Sequence, residues 1–326
     1  MWQGECVSLG AVVIGLGRIG LTSDLPSSSE GFIFTHARAF AIHPAFRLLG
    51  GMDPDRTRCQ EMTETYGCPA CTSVPELLTA CQPEVVAIAA ATAAHASLVR
   101  QVLEHSRPRA ILCEKPLSHD IGEAWEIVAA CQAAGCELFV NYIRRADPAV
   151  QEVRRRIDAG EISTPLKGVV WYSKGLLHNG SHFFDLMQYW LGDLVSAQVV
   201  APGRDWQGDP EPDLLLSFAR GRIHFLAARE EDYSHYTAEL VSPSGRLRYD
   251  LGGWKLVWQP AVPSPTNSGY TVLDRVEHEI PSHLARIQWL VADQLKLALS
   301  GEQHCLCSGQ EALGALEHLT SIKNSL

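Results

Sequence analysis

The chain has 326 residues, 46% of them hydrophobic and 20% charged, with a formal net charge of −10. That length is too great for one small core and suits two domains, while the apolar fraction is that of an ordinary globular protein. The acidic balance excludes a general nucleic-acid binder, which carries a basic face, and no apolar run approaches the length of a membrane span.

Met1-Trp2-Gln3-Gly4-Glu5 lacks the basic start of a signal peptide. The first strand runs from Gly10 and ends on the apolar run Ala11-Val12-Val13-Ile14. Gly15-Leu16-Gly17-Arg18-Ile19-Gly20 follows at once. In an open α/β sheet, ligands bind beyond the carboxyl ends of the strands. Gly15 would permit the tight turn, Gly17 would let the backbone approach a pyrophosphate, and Gly20 would allow helix to pack on strand. Free N–H groups at a helix start would then hold the phosphates. A plain structural turn would use the same glycines.

A second strand, Phe46 to Met52, ends at Asp53, where a carboxylate would accept hydrogen bonds from the adenosine ribose. Asp53 lies farther from the glycines than usual. The stretch Leu21 to Thr35, with Pro26, Ser27, Ser28, Ser29 and Gly31, accounts for the excess as an inserted loop, expected at the cofactor or substrate mouth. An acidic residue here favours NAD over NADP, and Arg56 and Arg58 keep NADP open. A turn former before Pro54 is the other reading of Asp53.

Helices Arg56 to Tyr66 and Ala96 to His105 alternate with strands Val85 to Ala89 and Ala110 to Cys113, as in a doubly wound parallel sheet. Glu114-Lys115-Pro116 follows the last of these strands. Beside a nicotinamide cation the pKa of Lys115 would fall, so that it could exchange a proton with a substrate hydroxyl. Pro116 would fix the turn that aims it, a place for a cis bond. The alternative is a salt-bridged lysine at a strand end. A helix from Ile121 to Ala134 and a strand from Glu137 to Val140 complete this layer. The domain division is drawn near residue 120, where the chain changes character: 1–120 as an NAD(P)-binding domain, 121–326 as a second, substrate-binding domain.

Beyond Pro148 the pattern differs. Helices run from Pro148 to Ala159 and from about Ser181 to Trp190. Strands then follow without helices between them: Val195 to Val200, Leu214 to Ala219, Ile223 to Ala228, Thr237 to Val241, Leu247 to Tyr249 and Leu256 to Trp258. Gly221-Arg222 and Pro243-Ser244-Gly245 read as hairpin turns, so the sheet should be large, open and mostly antiparallel. A Pro/Ser-rich loop spans Pro260 to Ser268, and helices from about Ser282 to Ser300 and Glu311 to Lys323 close the chain. The fold class is therefore α/β. Of ten cysteines, Cys68-Pro69-Ala70-Cys71 and Cys305-Leu306-Cys307 lack a partner pair at zinc-finger spacing. They read as reduced structural thiols, and a cytoplasmic protein is expected.

The order of these pieces resembles the Gfo/Idh/MocA family, which includes glucose–fructose oxidoreductase and inositol dehydrogenase. The likeness rests on Gly15 to Gly20, His36-Ala37-Arg38-Ala39, Asp53-Pro54-Asp55, Ala90-Ala91-Thr92-Ala93-Ala94-His95 and Glu114-Lys115-Pro116. It continues through Arg145-Ala146-Asp147-Pro148, Gly180-Ser181-His182-Phe183-Phe184-Asp185 and the ending Glu311 to Glu317. The resemblance implies an N-terminal Rossmann domain and a C-terminal α/β domain with a large open sheet, often the face for oligomer contacts.

It also implies roles. Lys115 matches the lysine beside nicotinamide and substrate, and His182 the residue that transfers the proton. The chemistry agrees, since a neutral imidazole can accept a hydroxyl proton as hydride leaves. Gly15, Gly17, Arg18, Ile19, Gly20, Asp53, Thr92, His95, Glu114 and Lys115 would line the cofactor pocket. Asn141, Tyr142, Arg145, His178, Lys115 and His182 would contact substrate. One departure stands out: the family commonly has aspartate where this chain has His178, which puts the usual inositol or simple-sugar chemistry in question. His178 and His182 lie four apart, as a metal pair would, but lack an obvious third ligand, so no metal is expected.

The function that follows is an NAD(P)-dependent oxidoreductase acting on a secondary alcohol or ketone of a sugar, nucleotide sugar or cyclitol. Arg144, Arg145, Lys174 and Arg154 could supply cationic contacts to a nucleotide-linked sugar; a solvated surface charge is the other reading of each, and the preferred one for Arg154, Arg155 and Arg156. A homodimer or homotetramer through the C-terminal sheet is expected, with neither nucleic acid nor membrane as partner. The rivals are a catalytically silent dinucleotide-dependent sensor and a non-redox lyase or hydrolase that uses NAD transiently.

Overall fold

The computed structural model describes residues 8–25 and 31–326. Pro26 and Ser27 to Ser29, which carried part of the inserted-loop reading, and the N-terminal Met1 to Glu5 lie outside the described residues. The chain divides into two compact units, Met1–Ala146 with Ala285–Gly314, and Asp147–Leu284 with Ala315–Leu326.

In the first unit, strands β1 (Leu9–Ile14), β2 (Phe46–Met52), β3 (Ala70–Cys71), β4 (Val85–Ile88), β5 (Ala110–Cys113) and β6 (Glu137–Val140) alternate with helices. These are α1 (His36–Ile42), α2 (Arg56–Tyr66), α3 (Val74–Cys81), α4 (His95–His105) and α5 (Ile121–Ala134). The strands pair parallel in the order β6-β5-β4-β1-β2-β3. That order reverses direction between β1 and β4, which opens a crevice at the carboxyl ends of those two strands. Strand β4 and strand β5 are buried along their whole length, as expected for a parallel sheet covered on both faces. The boundary expected at residue 120 falls inside this unit, because α5 and β6 add a further layer to the same sheet.

The turn after β1 makes one helical turn, in which the N–H groups of Leu21 and Thr22 both reach the carbonyl of Gly17. Helix α1 starts only at His36, yet the N–H groups of His36 and Ala37 bond to the carbonyls of Ile19 and Gly20. The inserted segment therefore interrupts a helix whose hydrogen bonding resumes across it. Asp24, buried at the base, accepts from the N–H of Phe34 at 3.0 Å and from the N–H and hydroxyl of Thr35, both at 2.8 Å. Thr35 in turn caps α1 through Arg38 N–H.

The second unit begins with α6 (Pro148–Asp158), capped by Asp147, whose carboxylate accepts from the N–H of Ala149 and the hydroxyl of Ser282. Then come β7 (Leu166–Tyr172), α7 (Ser181–Leu191), β8 (Leu194–Trp206), β9 (Asp209–Phe218), β10 (Gly221–Ala227), β11 (Tyr236–Ser242), β12 (Gly245–Asp250) and β13 (Lys255–Pro263). Two short strands, β14 (Thr271–Leu273) and β15 (His278–Ile280), both pair with β13. Strand β7, which the sequence reading passed over, lies between β10 and β11 and pairs parallel with β10. The sheet is therefore mostly antiparallel, as expected, with β7 and β10 paired parallel within it. The hairpin expected at Gly221-Arg222 turns at Ala219-Arg220, and Gly221 opens β10. Inward residues of this sheet, Tyr172, Phe225, Leu240 and Tyr249 among them, pack on Phe183, Phe184 and Trp190 of α7. Burying each large side chain contributes about 1.5–3 kcal/mol. Trp190 also donates its indole N–H to the carbonyl of Val150 at 3.0 Å.

The chain then re-enters the first unit. The helix expected from Ser282 is a short 3₁₀ turn, Leu284–Arg286, followed by α8 (Ile287–Leu299). Strand β16 (Cys307–Ser308) pairs antiparallel with β6 at the sheet edge, and α9 (Gly309–Asn324) ends the chain. The described cysteines are free thiols.

Candidate active site

In the first unit, a cavity of about 400 Å³ lies at the carboxyl ends of β1, β2 and β4. It is lined by Gly15, Gly17, Asp53, Arg58, Ala90 and Ala94 among others. Gly15 and Gly20 are not interchangeable with alanine. A Cβ on Gly15 would sit 2.6 Å from the Ala90 nitrogen, and one on Gly20 would sit 1.9 Å from the Gly15 carbonyl oxygen. At Gly17 a Cβ would meet only the Arg58 guanidinium, at 3.8 Å, so this backbone faces the open cavity as a pyrophosphate cradle requires. The residues present fit a dinucleotide. Arg18 and Ile19 of the same turn are exposed.

Asp53 lines the cavity but is 5% exposed. One carboxylate oxygen accepts from Leu16 N–H at 2.8 Å and lies 3.3 Å from Arg58, and the other accepts from Asp55 N–H at 2.9 Å. It thus ties the glycine turn to the end of β2, whatever else it binds. Thr92 is half-buried in the 3₁₀ turn after β4. His95 is fully buried, its two ring nitrogens 3.1 Å from the Ala90 carbonyl and 3.2 Å from that of Leu117. A neutral imidazole donates to one of these at a time. His95 therefore braces the cavity wall against the segment that follows β5.

That segment carries Glu114 and Lys115, and the Lys115–Pro116 bond is cis. Lys115 is half-buried. Glu114 takes hydrogen bonds on one oxygen from His36 Nε2 at 2.9 Å and from the Asn141 amide at 2.6 Å. Burial works to raise the Glu114 pKa, but His36, Asn141 and the charge of Lys115 outweigh it and hold the carboxyl below its ordinary range. An ionised carboxylate therefore stands next to Lys115 in the chain. Asn141, buried, reaches Gln288 of α8 as well, at 3.3 Å. Tyr142 is buried, and Arg145 is buried in an ion pair with Glu311 at 2.8 Å. Of these three residues, Asn141 braces the Glu114-Lys115 segment directly.

In the second unit, His182 is the second residue of α7 and is 9% exposed. Its ring stands edge-on to Tyr236, centroids 6.3 Å apart. Immediately before α7, Gly175–Gly180 forms a π-helical turn that carries His178, exposed on the surface and 5.9 Å from the Trp206 ring. Sequence reasoning missed what holds this turn. Asp209 and Glu211 of β9 accept hydrogen bonds from the turn's backbone N–H groups. Their only sequence signal is two acidic residues at the start of a strand. Among the described residues, no group of three or more His, Cys, Asp and Glu side chains comes together in a way that could hold a metal ion.

Comparison with known proteins agrees with this fold. The model of an oxidoreductase family with an NAD-binding Rossmann fold matches residues 9–142. The chain is 30% identical to inositol 2-dehydrogenase 1 of Paenarthrobacter aurescens over 76% of this chain and 78% of that one. The chain belongs to the Gfo/Idh/MocA family. As a member of it, the protein is an NAD-dependent oxidoreductase of the sugar and cyclitol dehydrogenase type. This family member is also 27% identical to the scyllo-inositol 2-dehydrogenase (NAD(+)) of Bacillus subtilis, over 72% of each chain. Its fold matches that of the WlbA dehydrogenase from Bordetella pertussis, solved in complex with NADH and UDP-GlcNAcA. The TM-score is 0.71 at 19% identity, over 98% of this chain and 95% of that one.

Proposed function

We propose that this oxidoreductase transfers hydride between nicotinamide and a secondary alcohol carbon of a sugar, nucleotide sugar or cyclitol, with His182 and Lys115 as its catalytic residues. The observation that carries this reading is the edge shared by Lys115 and the glycine turn. Lys115 follows β5, the neighbour of β4, and the segment after β4 lines the same cavity as Gly15 and Gly17. The nicotinamide cofactor, NAD with NADP as the alternative, supplies the hydride acceptor or donor. Gly15, Gly17, Arg18, Ile19 and Gly20 would hold its phosphates, with Asp53, Thr92 and His95 shaping the walls. His182 takes the hydroxyl proton when the alcohol is oxidised and returns it when the ketone is reduced. Lys115, its charge balanced by Glu114, polarises the same oxygen. His178, exposed on its turn, would contact the substrate. Asn141, Tyr142 and Arg145 would contact the substrate, Asn141 also keeping the lysine segment in place through Glu114.

One relative is a scyllo-inositol dehydrogenase and a structurally similar dehydrogenase was solved with UDP-GlcNAcA, so the test is a panel. Purified chain is mixed with NAD+ or NADP+ and scyllo-inositol, other cyclitols, free aldoses or UDP-sugars, and reduced cofactor is followed by absorbance. Net reduction with one class supports the proposal. Binding without turnover would favour a sensor, and product without net cofactor change would indicate transient redox chemistry in a lyase or hydrolase.

A second copy of the chain is proposed to pack on the outward face of the second unit's sheet. Trp171 and Val241 are exposed there, beside Val169 and Leu215. The free thiols are compatible with the reducing cytoplasm proposed as its setting.

A further inference from the structure

The first four N–H groups of a helix lack partners within it, and water or a capping side chain usually takes them. At the turn leading into α7 they are taken by a neighbouring strand. Asp209 uses both oxygens, accepting from Leu177 N–H at 3.1 Å and His178 N–H at 2.8 Å. Glu211, 1% exposed, accepts from Gly175 N–H at 3.1 Å. Glu211 is itself held by Arg204 at 2.6 Å, and Arg204 forks onto both oxygens of Glu231 at 2.8 Å. Gly175 has φ of +78°, and a Cβ there would lie 2.1 Å from the Asp209 carboxylate. Only glycine lets the carboxylate come so close.

We propose that Asp209 is a positioning residue: its carboxylate clamps the backbone of the 175–180 turn and so sets the orientation of His178 and, through the first turn of α7, of His182. This rests on the proton-transfer role proposed above. Both oxygens are needed, because an amide would turn its NH₂ toward one of the two N–H donors. The clamp also works against the fold. Burial pushes the Asp209 carboxyl above its ordinary range despite the bonds from Leu177 and His178 and the charge of Lys323. A carboxylate whose pKa rises on folding weakens the folded state once pH exceeds its unfolded value. A group that costs stability while ordering a turn is the kind retained for a site. The charged and titratable groups around it are Lys323 of α9, Tyr172 of β7, Arg204 of β8, His178 of the turn, and Glu211 and Asp213 of its own strand.

The experiment compares wild type with Asp209→Asn in the full chain, using histidine-labelled NMR, amide exchange and thermal melting. Expected in the variant are amide exchange at Leu177 and His178 faster by about tenfold or more and His178 and His182 titrations moved downward by roughly half a unit. The melting midpoint should change by less than about 3 °C in either direction. Turnover of whichever panel alcohol the wild type oxidises should drop about tenfold or more in kcat, with KM nearly unchanged. Unchanged exchange and unchanged histidine titrations would overturn the inference, as would a loss of turnover that merely follows a loss of folded protein. If Asp209→Asn does not fold, Gly175→Ala strains the same contact from the other side and is read in the same way. The NMR arm needs no substrate. A panel without turnover therefore fails the proposed function while leaving this inference decided on its own data.

Discussion

The two units build their sites by different physics. In the first, the cofactor cradle is backbone: glycines a few residues apart, of which Gly20 and Gly15 are kept from carrying a Cβ by neighbours 1.9 and 2.6 Å away, while Gly17 faces the cavity. In the second, a histidine-bearing turn is held by carboxylates 31 and 36 residues further on, themselves embedded in an ion-pair chain. Backbone cradles follow from residue type and close spacing. Side-chain clamps follow from which strand pairs with which, and they tolerate little change in charge.

The largest effect expected is chemical. His182→Asn should lower turnover by about 10² to 10⁴ while NADH affinity, measured by fluorescence, stays put. Equal loss of both would blur the contrast between the units. Next come paired glycine changes. Gly20→Ala forces backbone apart, at about 1–3 kcal/mol or more, and should abolish nucleotide binding. Gly175→Ala should spare nucleotide binding and cut turnover. If either change produced the other's pattern, the division of labour drawn here would be wrong.

A smaller test uses pH. The folded Glu114 carboxyl is held below its ordinary value, so its contribution is present above the unfolded pKa and is lost as pH falls through the folded one. Glu114→Gln should cost about 1–2 kcal/mol at neutral pH and flatten the acid side of the stability profile. Chemical denaturation at several pH values reads this directly. The smallest change in stability belongs to the outward sheet face. Trp171→Glu with Val241→Glu should alter unfolding by less than about 1 kcal/mol yet shift a dimer to monomer in light scattering. A monomeric wild type would remove that proposal.

Much of the first unit was legible because its elements are written locally. Apolar runs 11–14, 85–88 and 110–113 became buried parallel strands, and the insertion was readable from the distance between Gly15 and Asp53. Strand β7 carried its own signal in Val169, Val170, Trp171 and Tyr172 but was passed over, and with it the one parallel pair in the second sheet. The domain boundary was misplaced for a different reason. Helix α8 and strand β16 return to the first unit after more than a hundred residues spent in the second, and no local pattern announces such a return.

The sequence alone determined the α/β class, the glycine turn with its acidic strand end, the lysine before a proline and the histidine at a helix start, since each depends on neighbours within a few positions. Only tertiary structure decided that Asp53 would staple the glycine turn, that His36 and Asn141 would hold Glu114 ionised, and that Asp209 and Glu211 would cap the turn ahead of His182. Those choices depend on desolvation and on partners far along the chain, and a carboxylate acquires such partners only when folding buries it beside them.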